Sequence, residues 1–249
     1  MAGGTFRARW RTAPSHAARR TLHAPMAARN HNLHGNAPDT CHVAVLLIDV
    51  INDLEFPTGR QLLKPALRAA RRIAALKQRA REAAVPVIYA NDNFGRWRSD
   101  FNEVVEHCLK EDVTGRPIAE LLVPEREDYF VLKPKHSAFF ATVLDTLLEY
   151  LQVKRVILAG FAGDQCVLLT AADAYLRDLE IFVPRDCVAS ASEGANREAL
   201  QYMARVLHAD KTVSVKLDLR KLGGRARRAK KKAAGARRKG SGSRQSARR

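Results

Sequence analysis

The sequence predicts an α/β fold built on one parallel sheet of six strands. Two observations predict it. Between Cys41 and Val215, short apolar runs of strand length alternate with stretches of helical periodicity, the pattern of repeated βαβ units. The excess positive charge lies at the two ends, so the middle has the composition of one globular domain. With 249 residues, 46% of them apolar, the chain is long enough to bury a large core.

The first apolar run, VAVLLI at 43–48, ends in Asp49. A helix is expected over 64–83, with Leu67, Ala70, Ile73, Ala74, Leu76 and Ala80 on one face and Pro65 in its first turn. Residues 85–90 read as the second strand. The irregular stretch 91–128 reads as a long connection holding one helix near 100–109, and such connections often cover sites. A short strand over 129–132 ends at Lys133, and 142–151 is an amphipathic helix. The fourth strand, 155–158, leads through Gly160 into a turn and a helix over 165–176. Strands at 180–183 and 212–215, with a helix over 193–207 between them, complete the six.

The formal charge of +17 suggests a nucleic-acid binder until it is divided along the chain. Residues 1–40 hold six arginines and one acid, and residues 220–249 hold fourteen Lys or Arg and no acid, which leaves the middle slightly negative. The expected organisation is a basic, disordered extension over 1–40, one globular domain over 41–219, and a disordered Lys/Arg-rich tail over 220–249. The stretch before Met26 reads as an upstream extension without a structural role, and its Arg-rich character is the alternative mark of a transit peptide. The tail has no aromatic side chain, so its expected partner is nucleic acid or another polyanion held without base readout.

No apolar run approaches the roughly 18 residues of a membrane span. Cys41, Cys108, Cys166 and Cys187 lie far apart, with no CxxC pair and no metal-ligand spacing. The expectation is a soluble, cytoplasmic protein with free thiols, no metal and no cofactor.

Substrates of open parallel sheets bind beyond the carboxyl ends of the strands, and Asp49, Lys133 and Cys166 all fall there despite separations of 84 and 33 residues. Cys166 stands in GFAGDQCVLLTAADA, where a strand meets a glycine-containing turn and then a helix. A helix start and a nearby Lys133 ammonium both favour thiolate, so a lowered thiol pKa is expected. Asp49 at the end of an apolar run is costly unless it has a partner or a task, and beside a thiol it is suited to move a proton.

VAVLLIDVINDL, YFVLKPKHSAFFATVLDTLL and GFAGDQCVLLTAADAYLRD resemble the three signature regions of the isochorismatase-like cysteine hydrolases, which include nicotinamidases and N-carbamoylsarcosine amidases. The resemblance covers about residues 42–215. It implies a Rossmann-like, three-layer αβα arrangement, a catalytic triad of Asp49, Lys133 and Cys166, and a non-proline cis peptide at Phe161–Ala162. It also implies an oxyanion hole from the Ala162 and Cys166 amides, and assembly as a homo-oligomer. The implied activity is hydrolysis of a C–N bond in a small amide, ureide or carbamoyl compound through a cysteine thioester.

Asn91, Asp92, Phe94, Trp97, His136, Phe139 and Phe161 are the substrate-binding candidates, with Arg96 and Arg98 available for an anionic group. The family's metal-dependent nicotinamidases carry an Asp and two His after the second strand, whereas this chain reads IYANDNFGRWRSDF, which disfavours nicotinamidase activity. Two readings compete with the amide hydrolase. One is an isochorismatase-type vinyl ether hydrolase, which needs no cysteine nucleophile. The other is a catalytically silent binding module tethered to polyanions by its tail.

Overall fold

A computed structural model describes residues 40–92 and 100–224. Both expected basic tails, apart from Thr40 and residues 220–224, lie outside the described residues, as do Phe94, Arg96, Trp97 and Arg98.

Six strands, all parallel, form one sheet: β1 (Val43–Ile48), β2 (Val87–Asp92), β3 (Tyr129–Lys133), β4 (Arg155–Phe161), β5 (Glu180–Phe182) and β6 (Val188–Ala189). Their order is β3-β2-β1-β4-β5, with β6 also against β4. Every residue of β1 is buried, because a central parallel strand is covered on both faces and must be apolar throughout. Alternate side chains then divide between two cores. Val43, Val45 and Leu47 pack with α1 (Gly59–Glu82), α2 (Phe101–Cys108), α3 (Arg116–Leu121) and Leu219 of α7 (Leu219–Gly223). Ala44, Leu46 and Ile48 face α4 (Leu144–Tyr150), α5 (Leu168–Tyr175) and α6 (Glu193–Val206). The result is the three-layer αβα arrangement, and truncating one such core residue to alanine costs about 2–5 kcal/mol.

The order of strands fixes where a site can form. The chain runs outward from β1 through β2 to β3, then returns across β1 to place β4 on its other side. That reversal opens a crevice beyond the carboxyl ends of β1 and β4. Gly160 keeps the two strands close: it has φ +129°, and a Cβ there would lie 2.0 Å from the Ile48 carbonyl oxygen.

The elements differ from expectation in five places. Helix α1 begins at Gly59, so Pro65 lies inside it and not in its first turn. Within the long connection, α3 is a second helix, with Pro117 near its start. The sixth strand is Val188–Ala189, pairing with Gly160 and Phe161 beyond the point where β5 ends. Residues 212–215 form no strand. Ser214–Lys216 is a 3-10 turn, held by Asp186, which accepts from the Ser214 amide and hydroxyl, and by Arg79, which donates to the Ser214 and Leu217 carbonyls. Finally, α7 crosses the expected boundary at 219, with the Gly223 carbonyl accepting from His42 N at 3.2 Å. No helix among the described residues is long and apolar enough to cross a membrane.

Candidate active site

Three strand ends supply the central residues. Asp49 follows β1 directly, in the left-handed backbone region at φ +50°, with its amide donating to the Ala90 carbonyl at 3.0 Å. That backbone is uncommon outside glycine, and Asp is among the few residues that adopt it readily. Lys133 ends β3, level with Asp92 of β2. Its fully buried ammonium lies 2.8 Å from Asp49 Oδ2, 3.9 Å from Asp92 Oδ2 and 3.7 Å from Cys166 Sγ. The Lys135 carbonyl accepts a further bond from it at 3.3 Å. Asp49 Oδ1 accepts from the Asp92 amide at 2.8 Å, so both carboxylate oxygens are held.

Cys166 comes from the far side of β1. After β4 the Phe161–Ala162 peptide is cis, and the chain makes a π-helical turn, Gly163–Val167, before α5. The Ala162 carbonyl accepts from the Gln165 and Val167 amides at 3.1 Å each, and the Asp164 amide donates to Ser190 Oγ at 3.1 Å. Cys166 Sγ is thereby set 3.5 Å from His136 Nδ1, and the thiol also hydrogen-bonds the Asp49 carboxylate.

Burial governs the charge states. Burial foremost, with the Asp49 carboxylate adding to it and Lys133 opposing, pushes the Cys166 thiol up to about 12. The sequence expectation of a lowered thiol pKa is therefore corrected: the buried thiol keeps its proton, and the lysine charge is directed mainly at Asp49. Desolvation also raises the Asp49 carboxyl above its ordinary range, against the pull of Lys133. Burial alone would lower Lys133, but Asp49, Cys166 and Asp92 together outweigh it, and the ammonium is held above its usual value. A proton acceptor with raised affinity thus hydrogen-bonds a thiol that has a proton to give.

These groups open into a cleft of about 590 Å³, large enough for a small organic molecule. Asn52, Phe56, Gln61, His136, Phe161 and Gln165 help to line it. Among the described residues, no group of three or more His, Cys, Asp or Glu is arranged to hold a metal ion.

The model of the Isochorismatase domain family matches residues 43–212, which includes every residue of this constellation. The chain belongs to the isochorismatase family. It is 43% identical to the isochorismatase family protein YaaI of Bacillus subtilis over 169 residues, 68% of this chain and 92% of that one. Maleamate amidohydrolase of Pseudomonas putida is 31% identical over 157 residues, covering 58% of this chain and 71% of that one. Among solved structures, N-carbamoylsarcosine amidase from Thermoplasma acidophilum is similar at a TM-score of 0.57 and 26% identity, over 71% of this chain and 98% of that one. The protein is an isochorismatase-family hydrolase with amidase relatives.

Within this isochorismatase-family cleft, the sequence candidates divide clearly. Asp92, His136, Phe161 and Ala162 line it together with Asp49 and Cys166, while Lys133 sits beneath. Asn91 does not line it. Its side chain is fully buried and donates to the Ile51 carbonyl at 2.5 Å, so it braces the loop after β1. Phe139 does not line it either, being packed in the core with the Arg177 guanidinium 4.5 Å from its ring centre. His107, the first histidine after β2, pairs with Asp53 at 3.1 Å. Phe94 and Trp97 lie outside the described residues. Sequence reasoning missed Asn52, Phe56, Gln61, Ala191 and Ser192. The first two follow the carboxyl end of β1 within seven residues of Asp49, and that proximity was the available signal.

Proposed function

We propose that this protein is a cysteine hydrolase cleaving a C–N bond of a small amide, ureide or carbamoyl compound through a thioester, with Asp49, Lys133 and Cys166 as its catalytic triad. The reading rests above all on one observation: the Lys133 ammonium lies 2.8 Å from Asp49 and 3.7 Å from Cys166 Sγ at the base of one cleft. Asp49 takes the thiol proton as Sγ attacks the carbonyl carbon, and the amides of Ala162 and Cys166 receive the developing oxyanion. The tetrahedral intermediate collapses with loss of the nitrogen, to which Asp49 returns the proton. Water, deprotonated by the same carboxylate, then hydrolyses the thioester and releases the acid and the free thiol. Lys133 keeps Asp49 ionised between these transfers.

One observation favours this reading over vinyl ether hydrolysis: the cleft presents a thiol beside its base, which that reaction does not need. A silent binding module has no need for a buried thiol hydrogen-bonded to a carboxylate of raised proton affinity. The test is a panel of small amides, ureides and carbamoyl compounds read by ammonia release, with Cys166→Ala beside the native protein. The expected result is release from at least one compound, lost in Cys166→Ala, and a mass increase on Cys166 equal to the acyl group after rapid quenching. Release by Cys166→Ala at the native rate would refute the mechanism.

A further inference from the structure

A second cavity, of about 800 Å³, opens between α1, the segment around β6, and α6. It shares no lining residue with the catalytic cleft. Six cationic side chains surround it: Arg68, Arg71 and Arg72 from α1, Arg185 ahead of β6, Arg197 from α6, and Lys211 after α6. Two acids also line it, and both are engaged. Glu193 pairs with Arg68 at 2.8 Å, and the two oxygens of Asp186 accept from the Ser214 amide and hydroxyl at 2.7 and 2.8 Å.

Arg71, Arg72, Arg185, Arg197 and Lys211 are therefore left without a carboxylate within salt-bridge distance among the described residues. Elsewhere on the described surface Arg81, Arg116, Arg155 and Arg177 each hold one, while Arg60, Arg126 and Arg205, like these five, hold none. Five like charges around one concavity repel one another and focus a positive potential into it. Part of the wall is apolar, with Ala69, Val188 and Leu200 at the surface of the cavity. Guanidinium forks from three separate elements suit phosphate oxygens, which accept two parallel bonds from each fork.

We propose that this cavity is a binding site for a compact anion carrying several phosphate groups, separate from the catalytic cleft. Such a ligand brings its negative charges into a small volume and neutralises cations that the fold itself leaves unpaired. A single carboxylate would satisfy one fork and leave the others exposed to mutual repulsion.

The test is calorimetric titration of the full chain with inorganic tripolyphosphate at low salt, with citrate and a duplex oligonucleotide in parallel arms. The basic segment 225–249 also attracts anions, so a charge-matched variant there, Arg237→Glu/Arg238→Glu, serves as the control. One saturable site per chain is expected for tripolyphosphate. Arg71→Glu/Arg72→Glu should weaken it at least ~10-fold, Arg197→Gln should weaken it by several-fold, and the control should stay within about 2-fold of native. Far-UV circular dichroism checks that each variant is folded, and Arg197→Gln decides the matter if the double variant is not. Absence of a saturable site, equal losses in the cavity and control variants, or binding of the duplex or citrate in preference to tripolyphosphate would overturn the proposal.

Discussion

Lys133→Met is the sharpest perturbation of the site. Methionine matches the length of the lysine stem but removes a fully buried charge from between Asp49, Asp92 and Cys166. Breaking a buried pair by deleting one partner costs about 3–5 kcal/mol, because the remaining carboxylate is left uncompensated. Desolvation already raises Asp49, and losing the cation raises it further. The folded protein then holds a proton on Asp49 at pH values where the unfolded chain, with its ordinary carboxyl at 3.8, does not. With more protons bound in the folded state, stability falls as pH rises through this window, so the Lys133→Met deficit should be full near pH 8 and shrink as pH falls toward 5. Adding Asp49→Asn removes the orphaned charge and should restore at least ~2 kcal/mol relative to Lys133→Met alone. Urea unfolding followed by far-UV circular dichroism measures the native protein and both variants, with linear extrapolation to water. Turnover at pH 7 should fall by ~100- to 10,000-fold in Lys133→Met, since a protonated Asp49 cannot accept the thiol proton. A deficit below about 1 kcal/mol that neither changes with pH nor recovers in the double variant would refute the reasoning.

Two further outcomes follow from buried groups. Cys108, Cys166 and Cys187 are each pushed by burial up to about 12 from the ordinary 9.0, so their contribution to stability is intact below pH 9 and is lost as pH rises toward 12. Three such groups cost roughly 4 kcal/mol at pH 10. The urea midpoint should drop accordingly between pH 8 and 10, and Cys108→Val should remove about a third of that slope. Lys77→Met should cost about 3–5 kcal/mol by stranding Asp128, whose carboxylate lies 2.7 Å from the buried ammonium. Lys77 also donates to Tyr89 and to the Val123 carbonyl, but it does not line the catalytic cleft, so kcat measured on the folded variant should match that of the native protein.

Elements whose character is set locally were legible in the sequence. VAVLLI can only be a strand covered on both faces, and the apolar stripe of α1 from Leu67 to Ala80 needed no tertiary information. The start of α1 was misplaced because Pro65 is a good first-turn residue, whereas the chain begins the helix six residues earlier at Gly59. A Cβ on Gly59 would meet the Leu54 carbonyl oxygen at 1.8 Å, a contact set by the path of the preceding loop. Strand β6 was invisible for a related reason. Two residues carry no periodicity, and Val188 and Ala189 are a strand only because β5 ends early and leaves the upper edge of β4 open. The site divides along the same line. Asp49 and Lys133 end apolar runs and Cys166 stands in the turn between a strand and a helix, so the sequence alone puts all three beyond the carboxyl ends of the strands. Asn91 and Asp92 are neighbours on one strand and therefore point to opposite faces, so only one of them reaches the cleft.

The thiol shows why a correct residue list can still give the wrong charge. From sequence, a cysteine near a helix start with a lysine close by reads as a depressed thiol. The fold weakens the first influence and divides the second. The turn amides around Cys166 are committed to the Ala162 carbonyl and Ser190 Oγ, and α5 begins only at Leu168. The lysine stands nearly an ångström closer to Asp49 than to the sulfur. Burial then decides, and it raises the thiol and the carboxyl together. Raising Asp49 offsets part of the gap in proton affinity that the raised thiol opens, whereas a lowered Asp49 would have widened it. On the proposed mechanism, a site arranged this way forms its thiolate only as the proton moves to Asp49, so the reactive sulfur exists when an electrophilic carbon is there to consume it. On the proposed reading Lys133 holds the ionised carboxylate ready at 2.8 Å and also donates to the sulfur at 3.7 Å.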